Sequence, residues 1–251
     1  MCIRDRNIPE HELARLREKA KELAGSSTEY QKEYSSLLTR RVNHEPLQYI
    51  EEYVPFYSIS LKVDQRCLIP RPETEFLIEI IKENVSLPKK IIDVGTGSGC
   101  IALMMKSLFP QADVTGVDIS EGALELAKEN SLLNSLEVTF LKSDLLSNVQ
   151  NIDHDLVIAN LPYIPTENLE ELDREVIDYE PISALNGGED GLEVISRLIE
   201  QLENKKYKDV NLFLEIDSRR SLETKKLLNN RSEVKFFKDL AEKDRYVFAK
   251  R

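Results

Sequence analysis

The stretch Asp93-Val94-Gly95-Thr96-Gly97-Ser98-Gly99 constrains this chain more than any other, because it joins an apolar run, Lys90–Val94, to helix-spaced residues beginning at Cys100. Glycines at alternate positions let the backbone turn sharply and let a ligand approach with no Cβ in the way. The helix that follows offers unpaired N–H groups and the positive end of its dipole. A strand, a glycine turn and a helix in that order predict an α/β fold built on a mainly parallel sheet.

The pattern downstream repeats the theme. Cys100–Phe109 reads as a helix stopped by Pro110, Val114–Asp118 as a strand, Glu121–Leu133 as a helix and Val138–Leu141 as a strand. Leu156–Asn160 is a further strand, followed by an irregular segment to about Gly188. Leu192–Leu202 reads as a helix, Val210–Ile216 as a strand and Ser221–Asn229 as a helix, with Val234–Phe237 and Tyr246–Ala249 as an antiparallel pair. Upstream, Leu13, Leu16, Ala20 and Leu23 mark one helix, and residues from Thr28 to Arg41 a second. Met1–Arg6 continue neither pattern. Aromatic and β-branched residues from Leu47 to Val63 predict a β-hairpin, and the two prolines in Ile69-Pro70-Arg71-Pro72-Glu73-Thr74 predict an extended link. The link divides residues 1–68, a helical and hairpin unit, from residues 69–251.

Composition excludes several classes. Hydrophobic residues at 41% and charged residues at 31% suit a globular protein, and the longest apolar runs are too short to span a bilayer. No secretory leader is legible at the start of the chain. The cysteines, Cys2, Cys67 and Cys100, have no ligand-like spacing, and the histidines are scattered, so a reduced, cytoplasmic setting without a metal is expected. The formal charge of −11 serves solubility, and it also suits a protein partner better than a polyanion such as DNA or RNA.

Asp118 ends the strand after the glycine turn, where a carboxylate can accept both ribose hydroxyls of an adenosine. The spacing G-x-G-x-G favours S-adenosylmethionine over a dinucleotide, and no lysine follows the loop as a P-loop nucleotidase would require. Asp144 and Leu145, just beyond the next strand, can accept the adenine amino group and pack on its ring; an ordinary strand exit would read the same way.

Asn160-Leu161-Pro162-Tyr163 follows the strand Leu156–Asn160. It resembles the Asn-Pro-Pro-Tyr signature of methyltransferases acting on planar, conjugated amines and amides. Such a nitrogen is a poor nucleophile because its lone pair is delocalised. Accepting hydrogen bonds from its N–H groups aligns it with the sulfonium methyl, and the Asn160 oxygen and a backbone carbonyl of the turn suit that task, with Tyr163 stacking on the flat group. Each such bond contributes about 0.5–1.5 kcal/mol, and near-attack positioning contributes up to about 7–11 kcal/mol.

Arg40-Arg41…Glu45-Pro46-Leu47-Gln48-Tyr49-Ile50, Leu68–Glu75, Asp93–Gly99 and Asn160–Tyr163 occur in order with Tyr179-Glu180-Pro181…Gly187-Gly188…Asp190-Gly191-Leu192 and Leu214-Glu215-Ile216. From about Thr28 onward the chain resembles the HemK/PrmC family, the peptide chain release factor N(5)-glutamine methyltransferases. The resemblance implies a class I S-adenosylmethionine-dependent methyltransferase fold, Rossmann-like with an antiparallel C-terminal hairpin, preceded by a small substrate-docking unit. It implies methylation of the glutamine in the Gly-Gly-Gln motif of class 1 release factors; separately, a monomer is expected. Gly95, Thr96, Gly97, Ser98, Gly99, Asp118, Asp144, Leu145 and Asn160 would hold the cofactor, and Asn160, Leu161, Pro162 and Tyr163 the glutamine amide, with Asn160 and Tyr163 catalytic. Leu161 stands in place of the first proline of the signature, Glu52 in place of a glycine, and Asp217 and Arg220 in place of a glycine and a glutamine. The N-terminal helices are shorter than the family's. Two alternatives remain: an adenine- or cytosine-amino methyltransferase, for which no basic groove is visible, and a non-catalytic S-adenosylmethionine-binding member.

Overall fold

The computed structural model describes residues 8–150, 153–204 and 210–250, so Met1–Arg6 lie outside the described residues. The chain runs α1 (Glu10–Leu23), α2 (Ser27–Val42), α3 (Leu47–Glu51), β1 (Tyr53–Phe56), β2 (Ile59–Lys62), α4 (Pro72–Asn84), β3 (Lys90–Val94), α5 (Cys100–Leu108), β4 (Asp113–Asp118), α6 (Glu121–Asn134), β5 (Thr139–Lys142) and β6 (Leu156–Asn160). It continues through α7 (Arg174–Ile177), α8 (Glu193–Asn204), β7 (Asn211–Glu215), α9 (Ser221–Leu227), β8 (Glu233–Lys238) and β9 (Asp244–Lys250). The segment between β6 and α8 holds short 3₁₀ turns at Thr166–Glu171 and Ile182–Ala184.

The seven-stranded sheet has the order β5-β4-β3-β6-β7-β9-β8. β3, β4, β5, β6 and β7 are parallel, whereas β9 pairs antiparallel with both β7 and β8. The chain leaves β3 toward β4 and β5, then returns to lay β6 on the other side of β3. The sequence order therefore reverses between β3 and β6, and a crevice opens there at the carboxyl ends of the strands.

Alternation along the strands assigns each side chain to one face. Ile91, Leu156, Ile158 and Phe213 pack with Leu77 and Ile78 of α4 and with Ile101–Met105 of α5. Ile92, Val94, Val157, Ala159, Leu212 and Leu214 pack on the opposite face with Ile195, Leu198 and Leu202 of α8. Period two then sends Asp93, Asn160 and Glu215 to the α4–α5 face. That assignment builds the site.

The N-terminal part corrects the sequence reading in two places. Residues 47–51 form α3 rather than a strand. Pro46 caps it, and Leu47 and Ile50, three apart, face Leu16, Ala20 and Leu37. Its aromatic and β-branched composition imitates a strand, but helical burial decides. Glu52 ends α3 in the left-handed conformation at φ 71, and the hairpin proper is only β1 and β2. Val54, Phe56 and Leu61 of that hairpin join the α4–α5 core, where each buried side chain stabilises by roughly 1.5–3 kcal/mol. The second correction concerns the link. Only its first part is extended; Pro72 opens α4 from the first helical turn, where its missing N–H costs nothing. The sequence reading contains no helix there, although Leu77, Ile78 and Ile81 are spaced for one.

Candidate active site

The glycine loop is pinned to the neighbouring strand: the N–H groups of Gly95 and Thr96 both donate to the Val117 carbonyl, at 2.8 and 2.9 Å. Gly95 lies at φ +76, a conformation that glycine adopts without strain, and a Cβ there would stand 2.9 Å from Leu161 Cδ2, so the loop and the turn after β6 pack closely at this point. Below the loop, buried Asp93 accepts from Thr96 Oγ1 at 2.7 Å and from the Ala102 N–H at 3.2 Å. Burial pushes its carboxyl up to about 7. Asn130 of α6 holds the loop from the side, donating to the Ser98 carbonyl at 2.9 Å and to the Lys62 carbonyl of β2 at 3.0 Å. The N-terminal hairpin thus braces the loop. Sequence reasoning missed Asn130, which lies inside an ordinary helix.

A cavity of about 270 Å³ opens above the loop. Gly95, Thr96, Gly97, Ser98, Asp118, Asp144, Leu145, Asn160, Leu161 and Pro162 all line it. Asp118 accepts the Gly97 N–H on one oxygen and the Ser120 N–H on the other, each at 2.9 Å. A carboxylate has about four acceptor positions, so both oxygens keep capacity for vicinal hydroxyls. Burial raises the Asp118 carboxyl, while these backbone donors draw it back down. Ile119, exposed to 60%, lines the cavity beside Asp118 and offers an apolar surface for a ring. Asp144 is ion-paired with Arg197, another lining residue. Loop, carboxylate and apolar walls fit an adenosyl group.

Asn160 occupies the switch-point edge of the sheet. Its Nδ2 donates to Thr74 Oγ1 and to Glu215 Oε2, both at 3.0 Å. Thr74, at the start of α4, donates in turn to Glu215 Oε2 at 2.9 Å. Sequence reasoning placed neither Thr74 nor Glu215 in the site. Glu215 is 2% exposed, and burial pushes its carboxyl up to about 7.

Two expected site residues stand elsewhere. Gly99 does not line the cavity; it caps α5 at φ 84, packed on Ala127. Tyr163 is also absent from the cavity wall. Its ring packs against the α8-side core, and its hydroxyl favours the charged form of Glu215. The turn is compact: a Cβ on Gly187 would meet the Tyr163 backbone at 2.7 Å. The opposite wall, including Pro181, Ser183 and Ala184, is fastened by Glu180, which accepts from the Ile69 N–H at 3.1 Å and pairs with Arg71. Arg41 extends that brace, binding Glu12 of α1 at 2.6 Å and Glu175 of α7 at 3.1 Å.

The family described as methyltransferase small domain matches residues 72–178. The release factor glutamine methyltransferase of Thermodesulfovibrio yellowstonii is 38% identical over 219 residues, covering 84% of this chain and 78% of its own. That of Bacillus cereus is 36% identical over 231 residues, covering 88% and 82%. Among solved structures, a methyltransferase from Pyrococcus furiosus superposes with a TM-score of 0.56 at 20% identity, covering 77% of this chain and 89% of its own. The T. thermophilus 16S rRNA N2 G1207 methyltransferase, solved with AdoMet and guanosine, gives 0.57 at 15% identity, covering 79% and 49%. At those identities the structures speak to the fold alone.

Proposed function

Because the chain belongs to the release factor glutamine methyltransferase family, we propose that it transfers the methyl group of S-adenosylmethionine to the side-chain amide nitrogen of the Gly-Gly-Gln glutamine in class 1 release factors. The observation that carries this reading is the Asn160 amide, whose N–H groups are held by Thr74 and Glu215 inside the cavity that also contains the glycine loop. Its Oδ1 is left to accept from an N–H group of the incoming amide.

Asp118 binds the ribose hydroxyls, Leu145 and Ile119 enclose the adenine, and Asp144 accepts from its amino group with lone pairs that Arg197 does not use. The bound cofactor supplies an already activated methyl group, so the protein's contribution is alignment. Asn160 Oδ1 and a backbone carbonyl of the turn accept from the amide N–H groups, fix the nitrogen in line and offset charge developing on it. Tyr163 supports the turn from behind rather than stacking. Residues 1–68 form the docking unit for the release factor. The free cysteines Cys67 and Cys100 suit a cytoplasmic setting.

A methyl-transfer assay on intact release factor, its Gln→Ala variant and duplex DNA tests the reading. Transfer to the first alone is expected, and Asn160→Ala should remove most turnover while changing cofactor affinity far less. Methylation of the DNA, or full activity of Asn160→Ala, would refute it.

A further inference from the structure

We infer that Glu215, acting with Thr74, is a positioning residue that fixes which end of the Asn160 side chain faces the cavity, and so makes the site select an acceptor bearing N–H donors. The inference rests on the proposed amide methylation and adds a residue to it.

The placement follows from the sheet. The parallel register pairs Asn160 with Glu215 at the ends of β6 and β7, and alternation turns both toward α4, whose first turn carries Thr74. A carboxylate only accepts hydrogen bonds. The Thr74 proton therefore points to Glu215 Oε2, and the Thr74 lone pairs are left for Asn160 Nδ2. Turning the Asn160 amide over would set its oxygen against Glu215 Oε2 and the lone pairs of Thr74, with no donor on that side. The polarity of the triad thus leaves Oδ1 for the substrate, where an amide N–H needs an acceptor.

Stability alone does not account for this carboxylate. It is almost fully buried, and Arg245, the cation acting on it, gives its Nε to Asp239 at 2.9 Å. Glu73 opposes its charge, Tyr163 supports it, and Tyr246 and Asp217 also lie in the surrounding charge network. A buried carboxylate that shares its cation with Asp239 costs stability against a neutral isostere, and its retention calls for a task. A glutamine at 215 could donate as well as accept, and would permit both orientations of Asn160.

The test uses the full-length enzyme with intact release factor. Glu215→Gln is expected to lower kcat by about 10–100-fold, the equivalent of one misplaced buried hydrogen-bond partner, with KM and the S-adenosylmethionine dissociation constant close to wild type. Its Tm at about pH 8 should rise, because the buried charge is gone. A purely structural brace would lower Tm and kcat together, and that result would overturn the inference. Thr74→Ser should keep activity that Thr74→Val loses. In the wild type, kcat should decline as pH is lowered through neutrality, a limb that Glu215→Gln should lack. Should Glu215→Gln not fold, the Thr74 pair and the wild-type pH limb decide: equal kcat in both Thr74 variants, or a flat limb, overturns the inference. Wild-type kcat in Glu215→Gln, alongside an inactive Asn160→Ala, would sink the positioning role alone. An active Asn160→Ala would sink the amide reading beneath it.

Discussion

Gly116, in the middle of β4, offers a sharp test of how the sheet supports the cofactor loop. A Cβ there would stand 2.7 Å from Thr96 Oγ1 and 2.9 Å from Cδ1 and Cε1 of Phe140, its neighbour on β5. The Phe140 ring, partly buried on the edge strand, packs against the core, and Thr96 cannot move without releasing Asp93, to which its hydroxyl donates at 2.7 Å. Overpacking of this kind costs about 1–3 kcal/mol, and the lost hydrogen bond roughly another 0.5–1.5 kcal/mol. Gly116→Ala should therefore destabilise by about 2–4 kcal/mol and lower Tm by roughly 5–15 °C in a domain of this size. Because Thr96 belongs to the loop, S-adenosylmethionine affinity should fall as well. Gly122→Ala on α6 is the control: its Cβ would meet Arg66 Cγ at 3.4 Å, an ordinary contact. It should stabilise by roughly 0.5 kcal/mol through helix propensity. Thermal melts and titration calorimetry on both variants read these effects. An unchanged Tm and affinity in Gly116→Ala would show that the loop does not depend on the sheet beneath it.

Asp118→Ala should weaken S-adenosylmethionine binding by roughly 1.5–3 kcal/mol, the scale of charged hydrogen bonds, and an unaltered dissociation constant would remove Asp118 from the ribose site. Glu52→Gly should raise stability by about 0.5–1 kcal/mol in thermal melts, because Glu52 holds a left-handed φ of 71 that glycine adopts without strain. The Lys19–Glu52 pair lost in that change is largely exposed on the Glu52 side and offsets little; a lower Tm would contradict this. Stability should also depend on pH in a defined sense. Glu215 and Asp93 titrate at about 7 when folded, above their ordinary 4.5 and 3.8, so the folded state binds more protons across that interval and their contribution is lost as pH rises through it. His154, lowered by burial, works in the opposite direction, so the comparison is between wild type and Glu215→Gln, whose Tm should fall less steeply from about pH 5 to about pH 8. Parallel slopes would contradict the buried, ionising Glu215.

Much of this architecture is legible in local pattern. The strands Lys90–Val94 and Leu156–Asn160 coincide with the sequence reading residue for residue, because each has four consecutive buried residues and is bounded by turn signals. The glycine loop, Asp118 and the Asn160 turn are legible for the same reason: each is a short motif at a strand end. Thr74 and Glu215 are not, since their meeting with Asn160 depends on the β6–β7 register and on a helix that begins at Pro72. Alternation along Leu212–Glu215 does carry a signal for Glu215, a carboxylate directed inward between apolar neighbours. Tyr163 shows the reverse case, in which a motif suggests a stacking ring while the ring packs on the α8-side core, off the cavity wall. Five-residue α3 is misread because tertiary burial outweighs its strand-like composition.

The most direct measurement is a crystal structure of this chain with S-adenosylhomocysteine and a Gly-Gly-Gln peptide. The glutamine amide nitrogen should lie beside the cofactor sulfur, with one N–H donated to Asn160 Oδ1 at about 2.7–3.2 Å while Asn160 Nδ2 stays on Thr74 and Glu215. An Asn160 that presents Nδ2 to the peptide, or a glutamine seated away from the turn after β6, would contradict it.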